Sequence, residues 1–523
     1  MQNFPWLTAL IAAPALGGLI LWLVPRLRRA ARAIALGWSV AVFAGAVAAA
    51  AVYLDAEGAI RLAEQHSWIK QFGISYAVGV GGLGLMMILL STLLVPIVLL
   101  AAWKQEAEPS RQAHYAALVL VLESFMIAVF AARDVVLFYV FFEAMLIPVY
   151  FLIGSFGGEH RKQAALKFLL YSLAGGLVML AGVIALGAAQ LPSATSFTID
   201  SLSGAAGLDQ TAERLVFLSF FTAFAVKAPM FPLHSWLPDA AQAAKPGTSV
   251  LLVGVLDKVG TFGMMTLCLP LFPNAARWAA PVVIALAVVS VLWGALLALG
   301  QKDLFRMIAY TSVSHFGFIV LGIFAFSQTS EIGSGFYMLN HGLSTGALFL
   351  VAGFLASRRG TQRIDQLGGG LQRTVPVLAG VFLVVGLSAI ALPGLSTFVS
   401  EFMVIAGAFQ TNAAAAVIAA LGVILAALYI LIAYQKIFTG PVREDLALTP
   451  DLGGRELWAV GPLIALMLVL GFYPSPALDV LRDDAAATVQ SVTAPAAPRA
   501  SADPGAAESA YPDPAPIEEG SRP

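Results

Sequence analysis

Residues 225–240 read AVKAPMFPLHSWLPDA, and residues 389–402 read AIALPGLSTFVSEF. Both are apolar helical sequence cut by proline: Pro229, Pro232 and Pro238 in the first, Pro393 beside Gly394 in the second. Proline removes a backbone N–H and crowds the preceding turn, so a helix kinks or breaks there. In a bilayer such a break survives only where protein or trapped water satisfies the freed backbone groups. Each break also carries a charge, Lys227 in one and Glu401 in the other. A charge at the bilayer centre costs at least about 2.5–3.5 kcal/mol on insertion scales, so it marks a functional position. The two stretches predict broken membrane helices built around an ion path.

The flanking sequence supports this. Runs of roughly 20 apolar residues, the length that spans a bilayer, recur from 4–24 to 456–473, about 14 in all. The two breaks fall in the runs 213–238 and 375–410. The expected fold is an all-α polytopic membrane protein. The first run has no basic segment before it and reads as a retained helix, not a cleaved signal peptide.

Composition narrows the function. Of 523 residues, 59% are apolar and only 11% charged, where soluble domains carry about a quarter. A soluble enzyme with one anchor is excluded. The 29 basic and 30 acidic residues nearly cancel, and no basic patch stands outside short loops, which argues against nucleic acid as a partner. The single cysteine, Cys268, excludes a disulfide framework, a paired-cysteine zinc site and an iron–sulfur cluster held by its own thiolates. The chain is expected to carry no cofactor.

With the amino terminus outside, about 18 Lys and Arg fall in inner loops and about five in outer ones. This bias predicts that both termini face the outer side. The stretch 483–523 is rich in Ala, Pro, Ser and acid, too polar to bury a core, and is expected to be a disordered tail.

The segments 114–269 and 278–438 each hold about five spans, and in each the fourth is the interrupted one. An odd number of spans gives the copies opposite topology, and inverted repeats with broken helices are a recurring transporter architecture. The expected division is three amino-terminal helices over 1–113, the two inverted repeats as proton half-channels, a last helix over 456–473 and the tail. Chance proline placement is the competing explanation.

Six ionisable residues fall deep in the spans. Glu143 sits among aromatics in LFYVFFEAMLIPVYFLIG (137–154), five residues before Pro148. Lys227 directly precedes Ala228-Pro229. A lysine alternately paired with and released from Glu143 would switch a proton; a fixed ion pair, or a lysine capping freed carbonyls, is the static alternative. Lys258, beside Asp257 in LLVGVLDKVGTFGMM (251–265), is too deep to snorkel easily. Adjacent helical residues point about 100° apart, so Asp257 and Lys258 need not pair. His315 (IAYTSVSHFGF) and His341 (YMLNHGLSTGALFL) suit a relay, since histidine titrates near 6.5; haem ligation and plain core packing are the alternatives. Glu401 occupies in the second repeat the place of Lys227 in the first. Glu123 and Lys167 are weaker candidates, and Asp239 and Asp303 lie at hydrated loop edges. Ser312, Ser314, Ser344 and Thr345 are expected to hold water along the path.

The runs LFYVFFEAMLIPVYFLIG, FAVKAPMFPLHSWLPDA, GVLDKVGTFGM, QKDLFRMIAYTSVSHFGF and LPGLSTFVSEFM, in this order over about residues 80–475, resemble the antiporter-like membrane subunits of respiratory complex I. The subunit M (chain 4) family of NADH–quinone oxidoreductase is the most similar. The resemblance implies proton-transfer roles for Glu143, Lys227, Lys258, His315, His341 and Glu401. A glutamate at 401 favours subunit M over its siblings. It further implies a bacterial plasma-membrane location, no flavin, iron–sulfur cluster or quinone in this subunit, and sibling antiporter-like subunits, lipid, protons and internal water as partners. The pattern departs at Ala241, Ala243, the Lys245-Pro246-Gly247 turn and Phe305, all on the expected proton-entry side.

The expected function is coupling electron transfer in partner subunits to proton pumping through a midplane chain of Glu, Lys and His. A subunit of a multi-subunit sodium/proton antiporter, a proton-pumping membrane hydrogenase, or a scaffold whose charges are fixed ion pairs would use similar residues.

Overall fold

The computed structural model describes residues 4–189, 196–204 and 208–494. Among them, twelve helices are long and apolar enough to cross a membrane. In chain order these are α1 (Trp6–Leu23), α2 (Ala31–Asp55), α3 (Gly82–Ala101), α4 (Pro109–Ala131), α5 (Val135–Phe156), α6 (Arg161–Ala189), α8 (Pro246–Leu271), α9 (Pro273–Leu299), α10 (Leu304–Phe324), α11 (Gln328–Arg359), α13 (Ala413–Phe438) and α14 (Gly454–Phe472). Two broken spans complete the set of fourteen: α7, split into α7a (Gln210–Lys227) and α7b (Trp236–Ala243), and α12, split into α12a (Pro376–Ala389) and α12b (Ser396–Thr411). Each is the fourth of five consecutive spans, α4–α8 and α9–α13.

Burial sorts the helices. The most apolar stretches of α8, α10 and α11 are 94% buried, against 28% for α14. The first three therefore form the centre. The outer helices turn Leu421, Ile424, Trp458 and Phe472 outward, as a lipid-facing belt requires.

Polar side chains seat several helix starts. Asp134 accepts from the backbone N–H groups of Val136 and Leu137 at 2.9 and 3.1 Å at the start of α5. Asp303 does the same for Arg306 at 3.0 Å at the start of α10. Such caps satisfy amide groups that a helix start leaves bare.

Two features depart from the expectation. Residues between α2 and α3 form an antiparallel hairpin, β1 (Arg61–Ile69) and β2 (Ile74–Val80), turning at Gly73 with φ +69°. Its Glu64 accepts from the Leu7 amide at 2.8 Å and so holds the start of α1. The sequence also continues after α14 into α15 (Ser475–Thr493), where disorder was expected from 483. This helix is ordered because it is amphipathic: Leu481, Ala485 and Val492 are buried, and Asp484 accepts from the Leu83 amide at 2.9 Å. The remainder of the expected tail lies outside the described residues.

Candidate proton path

The first break is held open by side chains that replace the lost backbone bonds. The Val226 carbonyl, freed by the proline break, accepts from the Trp236 indole at 2.9 Å. The Phe231 amide donates to Ser290 Oγ at 2.7 Å. Lys227, 1% exposed, ends α7a with its amine aimed over the Phe142 ring, 4.9 Å from the centroid. Among the described residues no hydrogen-bond partner satisfies that amine.

Glu143 is near Lys227 but does not contact it. No ion pair within 4.0 Å joins them, so the direct pair entertained from the sequence is not formed in this state. Glu143 packs instead against α6: a Cβ on Gly176 would lie 1.6 Å from Glu143 Oε1. Glu143 alone of the six candidate residues is partly exposed at the side of the bundle.

Glycines bring α8 to both neighbours. A Cβ on Gly260 would lie 2.5 Å from the Phe224 carbonyl oxygen, so α8 crosses directly over the end of α7a. A Cβ on Gly342 would lie 2.8 Å from the Gly254 carbonyl oxygen, so α8 and α11 also cross backbone to backbone. Near that crossing α8 widens into a π-helical turn over Leu252–Leu256. Such a turn interrupts the regular hydrogen-bond ladder and is frequent at functional sites. The Lys258 amine donates to the carbonyl of Val253, within this turn. The same amine lies 2.7 Å from His341 Nδ1.

From His341 the polar chain continues into the second repeat. The His341 and His315 rings meet edge to face with centroids 5.2 Å apart. His315 Nε2 lies 3.5 Å from the Tyr429 hydroxyl, and its ring centroid is 6.0 Å from that of Tyr337. The Tyr337 hydroxyl donates to Glu401 Oε2 at 2.5 Å. Lys258, His341, His315 and Tyr337 thus follow one another toward Glu401, with Tyr429 beside His315.

The second break lies beside Glu401. Asn340 donates to the Ser396 carbonyl at 3.0 Å. Gly394, at φ +94°, accommodates α14: a Cβ on Gly471 would lie 2.4 Å from the Gly394 carbonyl oxygen.

Sequence reasoning missed three parts of this chain. Tyr337 stands four residues before His341, on the same helix face, which was a usable signal. Tyr429 gave none, because tyrosines are ordinary in apolar helices. Asp257 was noticed only as a neighbour of Lys258; it is fully buried, and both its carboxylate oxygens lack a hydrogen-bond partner. Glu123 is buried with both oxygens unpartnered as well. Ser344 and Thr345 also lack partners and are free to bind water, whereas Ser312 and Ser314 donate to the backbone carbonyls of Ile308 and Val291.

Beyond the first break a charged cavity of about 1270 Å³ opens at the loop ends of α6, α7b and α10. Lys167 donates to Asp239 at 2.7 Å and to the Ser235 carbonyl at 2.9 Å, and Arg306 donates to the same Asp239. The Tyr171 hydroxyl lies 2.8 Å from Ser235 Oγ, continuing toward the break. The unusual residues named above have structural places. Lys245 pairs with Glu106 at 2.7 Å, Ala241 and Ala243 are buried, and Phe305 is buried against Phe349 with centroids 5.8 Å apart. Burial raises the Glu106 carboxyl, but hydrogen bonds from Arg111 and Lys245 outweigh it and hold it below its ordinary value.

The family described as NADH:quinone oxidoreductase/Mrp antiporter, TM, matches residues 132–428. The NADH-quinone oxidoreductase subunit M of Mycobacterium tuberculosis is 45% identical, over 92% of this chain and 93% of that protein. The subunit of the same name from Rhodobacter capsulatus is 38% identical, over 89% and 92%. A chain of respiratory complex I from Thermus thermophilus superposes with a TM-score of 0.84 at 32% identity, covering 93% of this chain and 99% of that one. A chain of the Mrp complex from Dietzia shares the fold, with a TM-score of 0.83 at 24% identity, over 94% and 100%.

Proposed function

This chain belongs to the NADH:quinone oxidoreductase/Mrp antiporter family, and from that premise we propose that it is a membrane-arm subunit of a bacterial NADH–quinone oxidoreductase and carries protons across the membrane. Electron transfer belongs to partner subunits in this reading, and this subunit contributes no redox site. The observation that carries the proposal is the polar chain from Lys258 through His341, His315 and Tyr337 to Glu401 in the centre of an apolar bundle. An apolar bilayer core has no use for such a chain except to move or balance charge.

In the proposed cycle a proton enters from the inner face through the charged cavity and reaches Lys227. Glu143 sets the proton affinity of Lys227 by approaching or leaving it. Its partial exposure supports a role as the point where a neighbouring subunit acts. The proton passes to Lys258, with Asp257 and water spanning the gap, then to His341 and His315, and reaches Glu401 through Tyr337. Both termini lie on the outer side in this reading, from the bias of basic residues toward inner loops.

The test is purification of the tagged chain in mild detergent from its native membrane. Bound flavin and iron, with NADH-driven proton movement after reconstitution, are expected. A preparation without redox cofactors that exchanges sodium for protons would move the same residues into an antiporter.

A further inference from the structure

A second cavity lies at the opposite end of the bundle from the charged entry. It holds about 290 Å³ beneath α15. Asp200, Glu331, Asp483 and Asp484 line it, with Arg133 as a basic counterpart. Two of these acids are already engaged: Asp200 pairs with Arg133 at 2.6 Å, and Asp484 caps the Leu83 amide. Glu331 is not engaged. It is fully buried, and among the described residues neither carboxylate oxygen has a hydrogen-bond partner. A buried carboxyl without partners costs several kcal/mol unless it has water, a proton or an ion to answer it.

Glu331 and His341 share one helix, ten residues apart, or about 15 Å along the axis. Phe262 and Met265 of α8 line the cavity. Just beyond, Thr261 Oγ1 meets Met338 Sδ at 2.7 Å and also donates to the Lys258 carbonyl at 3.1 Å. Along the chain Thr261 falls between Lys258 and the cavity-lining Phe262, and Met338 between His341 and Glu331, so this contact lies between the Lys258–His341 pair and the cavity. Methionine has three rotatable side-chain bonds and moves readily.

We propose that this cavity is a proton exit of the first repeat, with Glu331 as its terminal acid and Met338 as its closure. The inference rests on the proton-carrying reading and on the sidedness given above. With Met338 turned aside, a proton leaves the Lys258–His341 pair through water and binds the Glu331 carboxylate. It is then released to water at the outer face, and the carboxylate is restored. α15, which roofs the cavity, limits access to it.

The test uses the whole enzyme in vesicles. Glu331→Gln keeps the shape and removes the proton acceptor. NADH oxidation with an artificial acceptor is expected to be unchanged, while proton movement slows about tenfold. Glu331→Asp restores at least half of it. Independently, Ser491→Cys, at a half-buried position lining the cavity, modified from outside by a negatively charged impermeant thiol reagent, slows proton movement by a similar factor. Wild-type rates in Glu331→Gln, or in fully modified Ser491→Cys should Glu331→Gln not assemble, overturn the proposal. Absence of NADH-driven proton movement in the wild-type enzyme would instead sink the underlying reading.

Discussion

The Lys258 amine sits 2.7 Å from His341 Nδ1, where α8 and α11 cross at Gly254 and Gly342. The contact joins the lysine of the first repeat to the histidines of the second. Its geometry depends on glycine at the crossing and on the widened turn that supplies the Val253 carbonyl.

Lys258→Met keeps most of the side-chain volume and removes the donor. Proton movement is expected to fall by about 10²-fold or more, the scale of losing a positioned proton-transfer group. Assembly, read by the yield of the purified complex, should be retained. Proton flux in vesicles at matched NADH oxidation checks this.

Tyr337→Phe removes only the hydroxyl that donates to Glu401. The unsatisfied carboxyl costs about 1–3 kcal/mol. Proton movement is expected to slow, with a small drop in the melting temperature of the complex. Unchanged flux would show that the proton bypasses this tyrosine.

Gly176→Ala forces Glu143 away from α6, since the new methyl would overlap Glu143 Oε1. Coupled turnover is expected to fall several-fold in an assembled complex, as a misplaced proton-transfer group predicts. Adding Glu143→Asp, one methylene shorter, should recover part of the loss. A double-mutant cycle of turnover measures that recovery.

The contact of Lys245 with Glu106 carries a pH dependence of known sign. A carboxyl held below its ordinary value adds stability that is present above that value and is lost as pH falls through the folded one. The inner-face tie is therefore expected to be complete at neutral pH and to fail only below the ordinary carboxyl value of 4.5. Lys245→Met should move that failure upward in pH, read by thermal unfolding across a pH series.

Much of this was legible in the sequence because membranes make errors expensive. Fourteen spans, the two breaks and the burial of Lys227, Lys258, His315, His341 and Glu401 follow from the cost of bare backbone and bare polar groups in lipid. The hairpin before α3 was not legible, because β1 is mostly exposed and carries little apolar pattern. Nor was α15, whose buried positions are few and spread among Asp and Ala. Tyr429 was hidden because a tyrosine in an apolar helix looks like packing until a histidine is found beside it, whereas Tyr337 could have been found from its place one turn before His341. Gly176 leaves the room against α6 that Glu143 Oε1 occupies, a role that shows only in three dimensions.

The central claim is that the buried charges move protons and do more than hold helices together. Lys227→Met tests it most directly. Its amine has no hydrogen-bond partner to lose, so the substitution leaves no orphaned group behind. The measurement is proton movement into vesicles by the reconstituted complex, normalised to NADH oxidation with an artificial acceptor. Retained oxidation and proton movement reduced by at least about tenfold are expected. Normal proton movement by the Lys227→Met enzyme would contradict that claim and make these charges structural.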